Sequence, residues 1–359
     1  MAKIHVTLLF IAILTGVIAS PVRGGTSIQT RLDGPTCSPD GERVAFAIVK
    51  DRSEVAVLDF ASGSMQGFKV PGRLVEAFYG MSWSPDGTFI VATVVEHGKK
   101  PGRFSLWNLP PFHGNIPGPF SLWKLTPSTH KWQKLADIPY HLCQRALISP
   151  KGQTVLYRDA RSRNLNLLDL TTAKRKQLTK TGDVYRLGYA WSPNGSNIYF
   201  SRGYMTENGG LWVMNANGAN KKELSMEQEA YSLGVSETEE HIAFTVSNGS
   251  LFVASLSDLQ TVKISEKAGY FFQWHPLQEK LVFQEETSIK TWSASGSGDV
   301  PHTLDVIGDG YFPIWAEGGA AIVFLRDTTD LWRYEVRSRT SARIYTLEAI
   351  DSNKAIDSD

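Results

Sequence analysis

The chain has 359 residues and nearly balanced charge, with 37 Lys and Arg residues against 36 Asp and Glu residues and a net charge of +1. This balance creates no long-range field that would attract nucleic acid or an anionic membrane, so the sequence predicts neither as a partner. Length alone would suggest two domains. The internal repeat described below instead indicates one.

The N-terminus predicts a secretory signal peptide over residues 1–19. One basic residue, Lys3, precedes an apolar stretch over 6–18, and small residues follow at Ala19 and Ser20. This order of basic, apolar and small residues is typical of a cleaved signal, and the apolar run is short for a membrane span. We therefore expect a mature chain over 20–359, exported to the periplasm or the extracellular space, with no stable membrane insertion after cleavage.

A turn phrase close to Ser-Pro-Asp-Gly recurs along the chain at intervals of about 40 to 65 residues, and each copy precedes a short apolar run. A fixed period of this length indicates a repeat architecture. The seven copies, the last three of them degenerate, start at Ser38, Ser84, Ser149, Ser192, Ser236, His275 and Ala316.

The residues of the phrase predict a hairpin between two antiparallel strands. Ser suits the first position of a type I turn, Pro presets φ at the second, and Gly accepts the left-handed conformation that closes it. Two more alternating segments follow in each repeat. Four short strands per repeat, arranged radially, predict an all-β fold: a single β-propeller of seven four-stranded blades. Six blades remain the alternative, because the seventh copy at 316–319 has lost the turn phrase.

The repeat resembles the TolB-like, WD-like propeller family, whose blades carry Trp-Ser-Pro-Asp-Gly ahead of the second strand. The phrase stands as Trp83-Ser84-Pro85-Asp86-Gly87 here, and the resemblance covers about 28–347. It implies the fold and leaves the function open, because that blade type carries many roles. TolB also has an α/β domain ahead of its propeller, so its role in an envelope-spanning system is not carried over.

Most of the ten tryptophans occupy structural positions in the repeat. Four directly precede the turn phrase, four lie on third strands, and Trp132 lies on an outer strand. Residues that recur at one register are most simply explained by packing between blades. Trp107 is the one tryptophan that the repeat does not explain. The two sets of four are Trp83, Trp191, Trp274 and Trp315, and Trp123, Trp212, Trp292 and Trp332.

The sequence predicts no catalytic residue, no metal site and no cofactor. Asp40 and Asp86 are turn residues, because Lys151 and Asn194 stand at the same register in other repeats. The eight histidines show no ligand spacing, and no serine lies in a nucleophile elbow. His275 replaces the turn serine of its repeat, which indicates a structural role.

Two expectations concern the chain ends and the cysteines. We expect the segment 27–32 to join the last blade as an outer strand and so close the ring. Cys37 is predicted on the innermost strand of the first blade and Cys143 just ahead of that strand in the third. Non-adjacent blades hold these positions farther apart than the roughly 7 Å that a disulfide spans. We expect two buried thiols.

The second repeat contains an insertion at about 97–119. Residues 104–107 and 120–123 share the sequence Phe-Ser-Leu-Trp. Either copy could form the third strand, and the second is favoured because it leads into the outer strand at 131–135. The insertion is then either an extra packed hairpin or a loop that binds a partner through Trp107, Phe112 and His113, since long loops on rigid scaffolds often carry function.

Two functions are compatible with this sequence. The favoured one is an exported, non-enzymatic, monomeric scaffold that binds a protein, a peptide or a cell-wall glycan. The alternative is an enzyme at the channel mouth, as in propeller lyases, lactonases and cyclotransferases, whose sites collect single residues from many blades. An enzyme would bring titratable groups together at the mouth, whereas a binding module would expose an apolar patch there.

Overall fold

The computed structural model describes residues 30–49, 53–74, 81–96, 120–138, 145–159, 162–203, 210–224, 230–294 and 305–347. In these segments the regular structure is β-strand apart from two 3-10 helices, Pro127–Thr129 and Glu317–Gly319. The all-β prediction is therefore confirmed. None of the described helices has the length and apolar character needed to cross a membrane.

The strands form six hydrogen-bonded sheets, numbered here along the chain. In sheets 1 and 3 the strands pair in chain order, and in sheet 2 β5 and β6 both pair with β7. Sheet 1 contains β1 (Arg31–Cys37), β2 (Arg43–Val49), β3 (Glu54–Asp59) and β4 (Met65–Lys69). Sheet 2 contains β5 (Gly72–Leu74), β6 (Met81–Trp83), β7 (Ile90–Glu96), β8 (Phe120–Thr126) and β9 (Lys131–Ile138). Sheet 3 contains β10 (Leu147–Ile148), β11 (Thr154–Arg158), β12 (Leu165–Asp169) and β13 (Arg175–Gln177).

Sheet 4 has eight strands, and sheets 5 and 6 have four each. Sheet 4 contains β14 (Val184–Trp191), β15 (Asn197–Arg202), β16 (Gly210–Asn215), β17 (Lys222–Glu223), β18 (Ser232–Val235), β19 (His241–Thr245), β20 (Leu251–Ser255) and β21 (Thr261–Ser265). Sheet 5 contains β22 (Phe272–Trp274), β23 (Lys280–Glu285), β24 (Ser288–Ser293) and β25 (Asp305–Asp309). Sheet 6 contains β26 (Tyr311–Ala316), β27 (Ala321–Arg326), β28 (Asp330–Glu335) and β29 (Thr340–Thr346).

The eight-stranded sheet consists of two antiparallel halves. Its first half, β14–β17, and its second half, β18–β21, meet at one parallel pair between Leu187 and Ser232. All other pairings in the sheet are antiparallel and lie within one half. Each half therefore repeats the four-stranded order of its neighbours along the chain.

The turn phrases form the hairpins that the sequence predicts. In the second copy the Gly87 N–H donates to the Ser84 carbonyl at 2.8 Å, and Gly87 has a φ of +67°. The buried Ser84 hydroxyl donates to Asp86 at 2.6 Å and accepts the Phe89 N–H at 3.0 Å. Asp86 is thus a turn residue, as predicted, and its hydrogen bond from Ser84 lowers the pKa of its carboxyl group.

In four repeats the tryptophan ahead of the turn phrase joins its sheet to the one before it. The Trp83 indole N–H donates to the Thr36 carbonyl of β1 at 3.0 Å, and the Trp274 indole N–H donates to Gly234 of β18 at 3.0 Å. The same bond links Trp191 to Leu147 at 3.2 Å and Trp315 to Gln273 at 3.3 Å. Packing between neighbouring repeats is therefore confirmed as the role of these four side chains.

The hydrophobic core is divided among the contacts between successive sheets. On β2, Ala45 and Ala47 pack against sheet 2, whereas Val44 and Phe46 pack against sheet 6. This follows from the period of two along a strand, which sends successive side chains to opposite faces. Fully buried phenylalanines occupy the position equivalent to Phe46 in sheets 4, 5 and 6. Sheet 4 has two of them, Phe200 and Phe244, and the others are Phe283 and Phe324.

Sheet 6 packs against sheet 1, so the sheets close into a ring. The Glu317 N–H donates to the Gly41 carbonyl at 3.0 Å, and the Leu32 N–H donates to Thr328 at 2.7 Å. Gly41 is required here, because it has a φ of +73° and an added Cβ would lie 2.5 Å from the Glu317 nitrogen. The rings of Phe46 and Tyr345 also meet across this joint, with centroids 5.4 Å apart.

The expected ring-closing strand at 27–32 is wrong for the residues that the structure describes. Arg31 and Leu32 begin the innermost strand of sheet 1, where they pair with Val49 and Ile48. The outer strand of sheet 6 is β29 from the chain's own C-terminal part. The physical reason is the apolar side chain of Leu32, which is buried between sheets 1 and 6. Residues 27–29 lie outside the described segments.

Other expectations from the sequence can be followed to their positions. The favoured copy of the Phe-Ser-Leu-Trp sequence forms β8, which confirms it as the third strand of sheet 2 and places Trp132 on the outer strand β9. Cys37 lies on an innermost strand as expected, and burial raises the pKa of its thiol. Cys143 lies outside the described residues.

We predict that Trp83→Phe lowers the free energy of unfolding by about 1–3 kcal/mol, because the carbonyl of the half-buried Thr36 loses its indole donor. Trp132→Phe is the matched control, since the buried Trp132 indole nitrogen has no acceptor among the described residues. Removing that N–H should be neutral or slightly stabilising. Urea unfolding of both variants measures the difference, and equal losses would contradict the importance of the inter-sheet bond.

Candidate functional site

A cavity of about 430 Å³ lies where the innermost strands of all six sheets meet. Both halves of sheet 4 contribute to it, through β14 and β18. Its walls are built at successive sheets by Gly34, Pro35 and Thr36; Met81 and Ser82; Arg145, Leu147 and Ile148; Leu187, Ala190 and Trp191; Ser232, Leu233, Gly234, Val235 and Glu237; Tyr270, Phe271, Phe272, Gln273 and Trp274; and Phe312, Pro313 and Ile314.

Three of the innermost strands carry β-bulges that face this cavity. The pairing register shifts between Asp33 and Thr36 on β1, between Val184 and Tyr189 on β14, and between Tyr311 and Ile314 on β26. A bulge leaves its extra residues unpaired and re-aims their side chains, and bulges often adjoin functional sites. The bulged segments are therefore the parts of the innermost strands that depart from regular strand pairing.

Phe312 occupies a backbone conformation that is rare for a bulky residue. Its φ is +56°, in the left-handed region, where a large side chain is a conformational outlier. The Phe312 N–H donates to Gln284 of the preceding sheet at 3.3 Å, and its ring meets Phe271 edge-on with centroids 4.4 Å apart. The neighbouring sheet thus holds a strained aromatic residue against the cavity.

Aromatic side chains cluster at the N-terminal ends of the innermost strands, which we call the mouth of the cavity. Tyr185 of β14 and Tyr231, just ahead of β18, have ring centroids 4.4 Å apart. Burial raises the pKa of Tyr270, and the neighbouring Tyr231 raises it further. With Phe271 and Phe312, these rings form a half-buried aromatic surface around the mouth.

Arginine side chains lie on the other side of the mouth, around the start of β14. Arg145 lines the cavity and donates from Nη1 to the Leu233 carbonyl at 3.1 Å. Arg158 donates from Nε to the Val184 carbonyl at 2.6 Å. Burial lowers the pKa of Arg158 to about 10, the nearby Tyr189 raises it in part, and the positive charge of Arg186 lowers it.

The buried Tyr189 shows how close these arginines are to one another. Burial raises the pKa of its phenol to about 12, while the charges of Arg145, Arg158 and Arg186 lower it. Its hydroxyl donates to the Arg145 carbonyl. The phenol therefore stays protonated and fixes the start of β10 to β14. Among the described residues of the mouth, the arginines lie at sheet 3 and the first half of sheet 4, and the aromatic rings extend from Tyr185 on sheet 4 to Phe312 on sheet 6.

The opposite opening of the cavity carries a different set of groups. Glu237, which is exposed, is the one carboxylate among the residues that form the described cavity wall. Beyond it, ligand atoms of Glu240, His241 and Glu279 lie within 4.8 Å of one another. His241 Nδ1 is 2.8 Å from Glu279, which also accepts from Thr238, so these groups already connect the second half of sheet 4 to sheet 5.

The ring of four-stranded units around a common cavity defines the protein as a β-propeller. The chain matches no protein-family model, and the search among curated proteins gives no match. Its structural neighbours include propellers of low sequence identity, and they confirm the propeller fold that the repeat predicts.

Four solved structures illustrate this likeness. An oligogalacturonate lyase in complex with manganese aligns at TM-score 0.60 and 11% identity, over 82% of this chain and 86% of that one. The β-propeller domain of Cps50 (Swd1) from Myceliophteria thermophila aligns at 0.56 and 10%, over 92% and 100%. A prolyl endopeptidase aligns at 0.58 and 13%, over 88% and 49%. TolB from Acinetobacter baumannii aligns at 0.48 and 17%, over 67% of this chain, which spans 56% of that TolB's length.

The binding residues predicted from the sequence, Trp107, Phe112 and His113, lie outside the described residues. The groups that line the mouth were missed in the sequence, although a signal was present. An aromatic or arginine residue stands three to six positions ahead of the tryptophan register in several repeats, as with Arg145, Tyr185 and Tyr270. His275 is structural as predicted, because its Nδ1 accepts the Leu277 N–H at 3.0 Å.

We predict a pH-dependent joint between sheets 4 and 5. The hydrogen bond that His241 donates to the Glu279 carboxylate raises the pKa of His241 above its usual 6.5. Its stabilising effect is therefore complete below about pH 6.5 and is lost as pH rises through the folded-state pKa. Wild type should exceed His241→Gln in free energy of unfolding by up to about 1 kcal/mol at low pH, and by less at high pH.

Urea unfolding at a series of pH values from about 5.5 to 9 measures this difference. Glu279→Gln is the reciprocal variant and should remove the same pH dependence, because it withdraws the carboxylate that holds the imidazolium. A constant difference between wild type and His241→Gln across the series would show that the pair is not charged in the folded protein.

Proposed function

We propose that the chain is a seven-bladed β-propeller that binds a ligand at the mouth of its central cavity and catalyses no reaction on it. The observation that carries this proposal is the convergence of aromatic and arginine side chains at one opening, with Phe312 held there in a strained conformation. Strain is retained where the surrounding structure enforces it, which is typical of ligand sites.

The number of blades is supported by the organisation of the strands. Sheets 1, 2, 3, 5 and 6 each contain one turn phrase, and sheet 4 contains two. Its halves meet at the single pair between Leu187 and Ser232, and the residues of both halves pack into one shared core cluster, as any two neighbouring sheets do. Counting each half as a blade gives seven.

The size of the cavity indicates what enters it. Small-molecule sites in proteins have volumes of about 300–1,000 Å³, and this cavity has about 430 Å³. It therefore suits a small ligand or the end of a longer chain, such as a peptide, better than the flat surface of a folded protein. A peptide is also one of the partners that the sequence predicts.

Catalysis at the mouth is the second candidate. The shifted pKa values of Arg158 and Tyr189 support it, because perturbed groups collect at active sites. Against it, the described cavity wall contains no histidine, and its carboxylate Glu237 lies at the opposite opening. The described residues of the wall thus offer neither a histidine or carboxylate base nor a donor set for manganese at the mouth, and we favour binding without catalysis.

The insertion adds a second contact for the ligand in this proposal. Residues 97–119 join Glu96, the end of β7, to Phe120, the start of β8. β7 runs antiparallel to the innermost strand β6, so its end lies on the face where the innermost strands begin. Trp107, Phe112 and His113 are therefore in a segment that leaves and re-enters the ring on the mouth face.

We predict that removing aromatic groups at the mouth weakens ligand binding. The probe is a set of small organic fragments observed by saturation-transfer NMR. Tyr231→Ala and Phe271→Ala should each cost about 2 kcal/mol of binding free energy, as aromatic anchors do. Tyr334→Ala, near the end of the third strand β28 and away from the mouth, is the matched control. Trp107→Ala shows whether the insertion contributes.

The results separate the mouth from the insertion. Loss of binding in Tyr231→Ala and Phe271→Ala with retention in Tyr334→Ala supports the site. Loss in Trp107→Ala alone assigns binding to the insertion instead. Fragments that bind all variants equally, or that shift only signals near Glu237, would refute a ligand site at the mouth.

We also propose that the protein is exported, on the pattern of residues 1–19. Protein recovered outside the cytoplasm should begin at Ser20 or within a few residues of it, as N-terminal sequencing can determine. Ile13→Arg, in the middle of the apolar run, should keep the chain in the cytoplasm because a charge disrupts the apolar region of a signal. Recovery of the intact wild-type chain in the cytoplasm would contradict export.

A further inference from the structure

The mouth of the cavity has two chemically different sides. Arg145 stands on the wall at sheet 3, with Arg158 and Arg186 close behind it. Across the ring, sheets 5 and 6 contribute Phe271 and Phe312, and deeper in the cavity stand further apolar residues. If each half of sheet 4 is counted as a separate sheet, two sheets lie between these sides in either direction around the ring. A molecule seated in the cavity meets positive charge at one end and apolar surface at the other.

The positive side favours a single anionic group. Guanidinium groups bind carboxylates and phosphates through paired N–H donors. Arg145 is the one cationic residue among those of the described wall, and its Nη1 already donates to Leu233. One guanidinium with neighbours set back from the wall suits a monoanion better than a phosphate dianion, which needs more donors.

The apolar side disfavours a sugar. The wall at sheets 5 and 6 includes Phe272, Pro313 and Ile314 beside the edge-on pair of Phe271 and Phe312. Sugar hydroxyls against these side chains would lose their hydrogen bonds to water without replacement, which is costly. An aliphatic or aromatic group would instead bury apolar area there, which is favourable.

We propose that the ligand is a monocarboxylate with an apolar or aromatic body, its carboxylate at Arg145 and its body against Phe271 and Phe312. This inference rests on the proposed function and names the chemistry of its ligand. Two sources carry this chemistry: a free aliphatic or aromatic acid, and the C-terminus of a peptide that ends in an apolar residue. Capture of a terminal carboxylate is a known mode of peptide recognition.

Isothermal titration of the mature protein with octanoate and with octanamide tests the charge requirement. Octanoate should bind at least about ten-fold more tightly than its neutral isostere, because charge-assisted hydrogen bonds are the stronger ones. Raising the salt concentration from about 50 mM to about 500 mM should weaken octanoate and leave octanamide unchanged. Quenching of Trp191 or Trp274, which line the cavity, reports binding at this site.

Variants connect this preference to the named residues. Arg145→Gln should weaken octanoate at least about ten-fold and leave octanamide within about two-fold. Arg343→Gln, an exposed arginine on the outer strand β29, is the matched control and should change neither. If Arg145→Gln does not fold, Arg145→Lys keeps the charge and should retain the preference for octanoate. Phe271→Ala should weaken both ligands.

The peptide Gly-Ala-Phe with a free or an amidated C-terminus distinguishes the two sources. Tighter binding of the free-acid peptide than of octanoate assigns the site to peptide ends, and the reverse assigns it to free acids. Equal binding of octanoate and octanamide would overturn the inference, as would stronger binding of inorganic phosphate or galacturonate. If those probes bind in a Phe271-dependent manner, the mouth remains a ligand site with a different ligand. If no probe binds, the inference fails. The fragment experiment then tests the proposed function separately.

Discussion

The structure depends on one hydrogen bond that recurs around the ring, from a tryptophan indole to a carbonyl of the preceding innermost strand. Trp83, Trp191, Trp274 and Trp315 each make it. The indole buries a large apolar area and satisfies a main-chain acceptor that faces no strand partner on that side. Because the bond comes from the residue ahead of the turn, the hairpin and the joint between sheets are fixed by the same short phrase.

The sequence predicted those parts of the fold that every repeat needs. The hairpin at Ser84 and the inter-sheet role of Trp83 recur, so their purpose could be read by comparing copies within one chain. The mouth could not be read in this way, because each sheet contributes a different residue: Arg145 from one, Tyr185 from the next, Phe312 from the last. The bulges that contain Tyr185 and Phe312 are local departures from the repeat, and the turn phrases do not predict them. Closure of the ring was also misassigned, since the burial of Leu32 between sheets 1 and 6 depends on residues far along the chain.

The mouth combines rigidity from the scaffold with irregularity in its innermost strands. Polar side chains at one register of the second strands support the bulges of the next sheet: Arg158 bonds to Val184, and Gln284 bonds to Phe312. Ser201 and Thr245 occupy the same register and are buried, but their hydroxyls have no hydrogen-bond partner among the described residues. The half-buried Arg158 and Gln284 bond across sheets and so fix the geometry of the next innermost strand. The repeat thus uses one position for apolar packing at Ala47 in sheet 1 and Leu325 in sheet 6, and for holding the innermost strand of the next sheet at Arg158 and Gln284.

The joint between sheets 6 and 1 has a consequence for how the molecule folds. Every other joint connects sheets that follow each other along the chain, whereas the bond from Leu32 to Thr328 closes a loop of nearly the whole domain. The entropic cost of closure grows by about 0.6 kcal/mol for each doubling of loop length, so this joint costs about 2 kcal/mol more than its neighbours. Cys37 stands at the tryptophan register of sheet 1, so among the described residues no tryptophan bond crosses this joint, and the ring closes through the main-chain contact at Gly41. The seam is therefore the joint of highest contact order, and we expect it to form last during folding and to open first.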